Sequence, residues 1–206
     1  DTHGGCQKGF SGLNSSNFPD GKTLSKEDIV IILGDFGVIW ASEEDGNERY
    51  WKKWLLGKPW TTCFLDGNHE NFDRLNLLPT VERFGAEVGY FDGIYHLRRG
   101  NIYNINGSSI FVFGGAESYD RGSRREFISW WAEEMPTTQE YSFGLENLNK
   151  VGNDVDYVLT HDCPGHMYAS SLRYNHYTPS AITKFFDNLY EDVSFIEWYC
   201  GHHHID

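Results

Sequence analysis

The sequence predicts a layered α/β protein in which parallel strands deliver polar side chains to one edge. Three observations predict it. Short apolar runs end repeatedly in Asp, Asn or His: residues 29–33 lead into Gly34-Asp35, 61–65 into Asp66-Gly67-Asn68-His69-Glu70, 157–159 into Thr160-His161-Asp162, and 195–200 into Gly201-His202-His203-His204. A short apolar run that enters a turn reads as a buried strand, and parallel strands present their carboxyl ends along one edge, where ligands bind. An amphipathic helical pattern separates the first two runs and completes a βαβ unit. Finally, Asn106-Gly107 joins two apolar runs, which is the strongest short-range hairpin signal and places a second, antiparallel sheet region in the middle of the chain.

Taken in order, the chain opens on Asp1-Thr2-His3-Gly4, a fifth stretch of the same chemistry, and continues through a Gly-, Ser- and Asn-rich segment to residue 25. Residues 48–56 make sense as a helix with Tyr50, Trp51, Trp54 and Leu55 on one face, packed on the sheet, and Arg49, Lys52 and Lys53 largely outside it. Residues 72–78 read as a short helix stopped by Pro79. The hairpin strands cover 101–105 and 108–113, Gly114-Gly115 forms a flexible exit, and 119–136 is a polar and aromatic insertion. Thr137-Thr138-Gln139-Glu140 fits a capping box, so a helix starts near Thr137 and runs towards Lys150. Pro179-Ser180 opens another helix through Tyr190, with Ile182, Phe185, Phe186 and Leu189 facing the core.

A length of 206 residues is expected to form a single domain spanning 1–206, with apolar material for one sizeable core. The formal net charge of -13 argues against gripping long nucleic acid by its backbone, which depends on many Lys and Arg contacts to phosphate. A smaller phosphate substrate is still allowed, since bound divalent cations make a site locally positive. No run is long and apolar enough to span a membrane. Cys6, Cys63, Cys163 and Cys200 show no CxxC spacing and read as reduced, partly buried thiols of a cytoplasmic protein. The loop at Asp1 has no strand before it, so the native first strand and the C-terminal end are expected to lie outside these residues, and a removed leader is compatible with that.

Gathered together, the candidate ligands are Asp1, His3, Asp35, Asn68, His161, His202 and His204, all oxygen or imidazole donors. That set suits borderline divalent metals such as Mn, Fe, Zn, Co or Ni, whereas calcium wants oxygen alone. Seven ligands exceed what one catalytic zinc takes. They suit two divalent metal ions sharing a bridging carboxylate, with Mn the ion to load in vitro.

In order and approximate spacing, Asp1-x-His3, Gly34-Asp35, Gly67-Asn68-His69-Glu70, His161 and Gly201-His202-x-His204 resemble the motifs of the calcineurin-like metallophosphoesterases along the whole chain. The resemblance implies a metallophosphoesterase-type β-sandwich of two mixed sheets flanked by helices (α-β-β-α), with a binuclear metal centre on one edge. It further implies Asp1, His3 and His204 as ligands of the first metal, Asn68, His161 and His202 as ligands of the second, and Asp35 as the bridge. Two cations about 3.5 to 4 Å apart clamp a phosphate and lower the pKa of a shared water to give hydroxide at neutral pH. In-line attack expels an alkoxide, which needs a proton or a cationic neighbour, and His69 looks like the group that supplies it. His203 lies between two ligands and points the other way if the strand pattern persists.

The match has departures. The family's protein serine/threonine phosphatases carry Gly-Asp-x-x-Asp-Arg-Gly, whereas Gly34-Asp35-Phe36-Gly37-Val38-Ile39-Trp40 lacks the second Asp and the Arg. That leaves the group orienting His69 unidentified. Arg98, Arg99, Arg121, Arg124 and Arg125 are five of the chain's 17 basic residues, and arginine forks phosphate in bidentate fashion. Arg121 and Arg124 are the candidates for substrate binding. Trp130 and Trp131 either stack a base or pack on the core. The expected activity is that of a two-metal phosphodiesterase or nucleotide phosphoesterase acting on a phosphate-ester small molecule, a nucleotide or a short nucleic acid. A phosphomonoesterase, an atypical protein phosphatase included, and a non-catalytic binding scaffold of the same fold are the alternatives.

Overall fold

Strand β1 (Ile29–Leu33) is a run of β-branched and aliphatic residues with no polar interruption, as suits a strand covered on both faces. It pairs in parallel with β2 (Thr61–Leu65), every residue of which is buried. Helix α1 (Gly46–Leu56) makes the crossover, starting two residues earlier than its apolar pattern implied because Asp45 caps it by accepting the Glu48 N–H. Helix α2 (Phe72–Leu75) is shorter than expected, being a single turn capped by Asn71.

A computed structural model describes residues 1–5, 9–167 and 178–204; Cys6 lies outside them. The first sheet continues with a hairpin that sequence patterning missed, β3 (Thr80–Arg83) and β4 (Ala86–Phe91), and with β5 (Ile94–Leu97). Its order is β1-β2-β5-β4-β3, parallel across β1-β2-β5 and antiparallel beyond. The second sheet has the order β6-β7-β8-β9. Strands β6 (Asn101–Ile105) and β7 (Ser108–Phe113) form the expected hairpin, with Asn106 and Gly107 both at positive φ, as a type I′ turn requires. Beyond that hairpin, β8 (Tyr157–Thr160) and β9 (Glu197–Cys200) join β7 in parallel. Both sheets are therefore mixed.

Alternation along the strands builds four layers. Cys63, Leu65, Val88 and Leu97 of the first sheet meet Tyr103, Ile110, Val112 and Leu159 of the second in one buried cluster. Phe64 and Ile32 point the other way, towards Leu55 of α1 and Phe72 and Leu75 of α2. On the far side, Phe111, Phe113 and Val158 pack against α3 (Thr138–Lys150) and α4 (Ala181–Asp192). Helix α3 begins with the expected capping box at Thr137 and Glu140, and Ile182, Phe186 and Leu189 of α4 are buried as its periodicity implied. Tyr50 departs from its helix pattern. It is 60% exposed, while Trp51 and Trp54 pack against the core. Among the described residues no helix is long and apolar enough to cross a membrane.

One polar contact ties the helices of the first layer together. Glu48 of α1 is 1% exposed, and Arg74 of α2 meets it with both terminal guanidinium nitrogens, Nη2 donating to Oε1 at 2.9 Å and Nη1 to Oε2 at 2.5 Å. Removing one member strands a buried charge. Arg74→Ala is expected to destabilise the fold by about 3–5 kcal/mol in urea unfolding, and Glu48→Gln in the same background to recover part of that loss.

Candidate metal centre

The parallel strands β1 and β2 of one sheet and β8 and β9 of the other end on the same edge, and their exits pack with the N-terminal segment. Asp35 follows β1, Asn68 and His69 follow β2, His161 follows β8, and His202 and His204 follow β9. Backbone contacts lock the exits together. The Asp35 carbonyl accepts from the N–H groups of Thr2 and His3, at 2.9 and 2.7 Å, and the Gly201 N–H donates to the His161 carbonyl at 2.9 Å. Glu70, fully buried, accepts from the N–H groups of Phe36 (2.7 Å) and Gly37 (3.1 Å), binding the β2 exit to the β1 exit. Burial, and then the nearby Asp35 carboxylate, push Glu70 up to about 8.

All seven expected ligands come together. Donor atoms of Asp1, His3 and His204 lie within 4.8 Å of one another, as do those of Asp35, His161 and His202. His204 Nε2 is 2.7 Å from Asp1 Oδ2 and 3.3 Å from His3 Nε2. Asn68 Oδ1 is 3.2 Å from His161 Nε2 and joins the second group. Asp35 stands between the two. Its Oδ1 is 3.2 Å from His161 Nε2, and its Oδ2 is 3.7 Å from His3 Nε2. His3, Asp35, His202 and His204 all have positive φ, a region that costs non-glycine residues energy and recurs where function fixes the backbone.

The donor set fits divalent cations. His161 Nδ1 is 2.7 Å from the Leu33 carbonyl, a contact that assigns the proton to Nδ1 and turns the Nε2 lone pair towards Asp35 Oδ1 and Asn68 Oδ1. Three acceptors thus converge, an arrangement that favours a positive charge between them. Burial disfavours the charged His161, but the Asp35 carboxylate outweighs it and raises the affinity of this imidazole for a proton, the same pull that would hold a cation. Burial also opposes ionisation of Asp35, yet His161 and the His69 N–H, which donates to Oδ1 at 2.8 Å, hold its carboxyl well below the usual range. Burial, with His161 second, brings His202 down to about 4, leaving the neutral imidazole that ligation requires.

Beside these residues lies a cleft of about 580 Å³, lined by His3, Asp35, Trp40, His69, Arg124 and His204 among others. His69 forms part of its wall. Arg124 spans the ring, Nη1 3.0 Å from Nδ1 and Nη2 2.9 Å from Nε2, and its Nε pairs with Asp120 at 2.8 Å. Burial pushes His69 down to about 4, with Asp35 pulling upward and Arg124 adding to the fall. Arg124 is thus the partner of His69 for which the local motif held no candidate.

Arg121 departs from expectation. It is 61% exposed along its side chain and pairs with Glu117, four residues back in the chain, and it does not line the cleft. Arg99 is buried and serves the fold, its Nε donating to Asp66 Oδ2 at 2.8 Å beside His96. Trp131 is buried in the core with its Nε1 donating to Asp73 at 2.9 Å, as the packing alternative had it. His203 turns away from Asp35, its Nε2 lying 3.1 Å from Asp162 Oδ1.

Two residues near the centre carried no signal in the sequence, Ser118 and Glu134. Asn68 Nδ2 donates to Ser118 Oγ at 2.9 Å, and Ser118 donates to Glu134 through both N and Oγ, at 2.8 and 2.6 Å.

Comparison with curated proteins and with solved structures gave no match. The family model for calcineurin-like phosphoesterases matches residues 1–206, the full length of the chain. With two mixed sheets flanked by helices and a cluster of His and Asp residues on one edge, the chain belongs to the calcineurin-like phosphoesterase family, whose members are in general metal-dependent hydrolases of phosphate esters.

Proposed function

We propose that this protein is a two-metal phosphoester hydrolase acting on a phosphodiester or a nucleotide, short nucleic-acid ends included. The observation that carries the proposal is the division of Asp35, which turns Oδ1 to His161 and Oδ2 to His3 and so serves two groups of ligands with one carboxylate. Asp1, His3 and His204 would hold one cation, Asn68, His161 and His202 the other, and Asp35 both. When bound, such a pair clamps the phosphate and supplies a nucleophile from water at neutral pH. Mn is the ion to load in vitro, and the free thiols of Cys63, Cys163 and Cys200 support a cytoplasmic setting.

The chain's own groups act on the leaving side. His69 faces the cleft with Arg124 against its ring, so the pair presents a proton-handling imidazole and a permanent cation to the developing alkoxide. Arg124 is the one Lys or Arg among the described residues lining the cleft, and Asp45 and Asp120 line the same walls. A singly charged diester suits that balance better than a doubly charged monoester. Val38 and Trp40 offer an apolar wall to the leaving group.

Hydrolysis of bis-p-nitrophenyl phosphate against p-nitrophenyl phosphate by the Mn-loaded protein tests the proposal. The diester is expected to turn over preferentially, with kcat about 10²- to 10⁴-fold lower in His69→Ala and KM raised in Arg124→Ala. Preference for the monoester would reassign the protein to phosphatase chemistry. Two bound ions without turnover of either ester would favour a binding scaffold.

A further inference from the structure

The insertion 119–136 does not hang free on the edge of the sandwich. Ser118 precedes it, and Glu134 lies near its end in a short 3-10 turn, Ala132–Glu134. Both are buried, at 3% and 1% exposure. The Glu134 carboxylate takes both donors of Ser118, the N–H on Oε1 and the hydroxyl on Oε2. Arg99 fastens the same turn from behind, donating through Nη2 to the carbonyls of Glu133 (2.9 Å) and Glu134 (3.3 Å).

These contacts fix a polarity. Burial raises the Glu134 carboxyl, and the two Ser118 donors, both directed at its oxygens, work against that rise and favour the ionised form. An ionised carboxylate only accepts, so the single hydroxyl proton of Ser118 is committed to Glu134. The Ser118 oxygen is left with lone pairs alone on its remaining side. Asn68 must therefore present its NH₂ to Ser118, and the amide oxygen is forced to the opposite side, where it lies 3.2 Å from His161 Nε2. An amide turned the other way would offer N–H donors to the same place, and donors repel a cation.

We propose that Ser118 and Glu134 are positioning residues of the hydrolytic centre, forming a clasp that holds the Asn68 amide oxygen towards the second metal position. The clasp rests on the two-metal proposal above. Its neck holds a ligand while its loop carries Arg124 to His69, so one segment sets both the metal side and the leaving-group side of the cleft.

Calorimetric titration of Mn²⁺ into the metal-free full chain tests this, with Ser118→Ala and Glu134→Gln beside the unaltered protein. Glu134→Gln keeps shape and volume but gives Ser118 a neighbour that also donates, which frees the hydroxyl to turn towards Asn68. Both variants are expected to bind the second equivalent about 10- to 100-fold more weakly, as loss of a partner behind a metal ligand generally does, while the first equivalent holds. Circular dichroism before titration identifies a variant that fails to fold, and the isosteric Glu134→Gln guards against that failure. Unchanged affinity for the second equivalent in folded variants, or equal loss of both equivalents, overturns the clasp. An unaltered protein that takes up fewer than two ions overturns the two-metal proposal itself, a result distinct from either.

Discussion

Asp35→Asn is expected to remove metal binding and turnover together while leaving the fold standing. The two carboxylate oxygens have different duties, Oδ1 accepting the His69 N–H at 2.8 Å beside His161 and Oδ2 facing His3. An asparagine can keep one of them. If its oxygen stays with the His69 N–H, its NH₂ faces His3 and puts two protons where a shared ligand is required. The contacts with His161 and the His69 N–H that favour the ionised carboxylate weaken at the same time, so the metal-free variant loses some stability while keeping its fold. Thermal melts with and without Mn²⁺ separate the two effects. For the unaltered protein at a hundredfold excess over Kd, each occupied site adds about 2.7 kcal/mol, seen as a rise in Tm. The variant should show almost no rise and bind less than two equivalents by elemental analysis. Full turnover in Asp35→Asn would sink the two-metal reading.

Asp35, Asn68, His161, His202 and His204 were legible as candidate ligands because each sits shortly after an apolar run, and parallel topology does the rest; Asp1 and His3 rested on the Asp-x-His pattern alone. Strand β2 shows why: five buried residues dictate a two-sided strand, and Gly67 then turns the chain so that Asn68 and His69 leave it at the edge. The β3-β4 hairpin was not legible. Three of the four residues of β3 are exposed, which leaves little apolar alternation, and its turn places Phe84 at φ 57 where an asparagine would have signalled the bend. Nor could the sequence separate Arg121 from Arg124, three residues apart in an irregular loop with no periodicity to assign faces. Tertiary contacts decide it, since Arg124 meets Asp120 and His69 while Arg121 meets only Glu117 among the described partners. The Ser118–Glu134 pair was hidden for a related reason. Neither residue belongs to a motif, and their meeting depends on Arg99 and Trp131 anchoring the far end of the insertion.

Gly67→Ala is expected to disable the centre as thoroughly as Asp35→Asn, by a different route and at a cost in stability. A Cβ built at Gly67 overlaps Asp35 Oδ1 and the Asp35 backbone nitrogen and comes 2.7 Å from His161 Nε2. Neither neighbour has room to yield. The Asp35 carbonyl holds two N–H groups of the N-terminal segment, and His161 is fully buried with its Nδ1 against the Leu33 carbonyl. The methyl group must therefore push the bridging carboxylate off its position between His3 and His161, or move the β2 exit that carries Asn68. Either movement separates ligands that have to meet within a fraction of an ångström. Overpacking of a rigid site costs about 1–3 kcal/mol, so Gly67→Ala should lower the urea midpoint and lose Mn²⁺ binding in both equivalents. Gly46→Ala is the control. Nothing lies within 4 Å of a Cβ there, at the first residue of α1, and alanine suits a helix better than glycine. Gly46→Ala should therefore leave metal content and turnover unchanged. Retention of two equivalents and normal turnover by Gly67→Ala would mean that the close approach of β2 to Asp35 is not what holds the bridge in place.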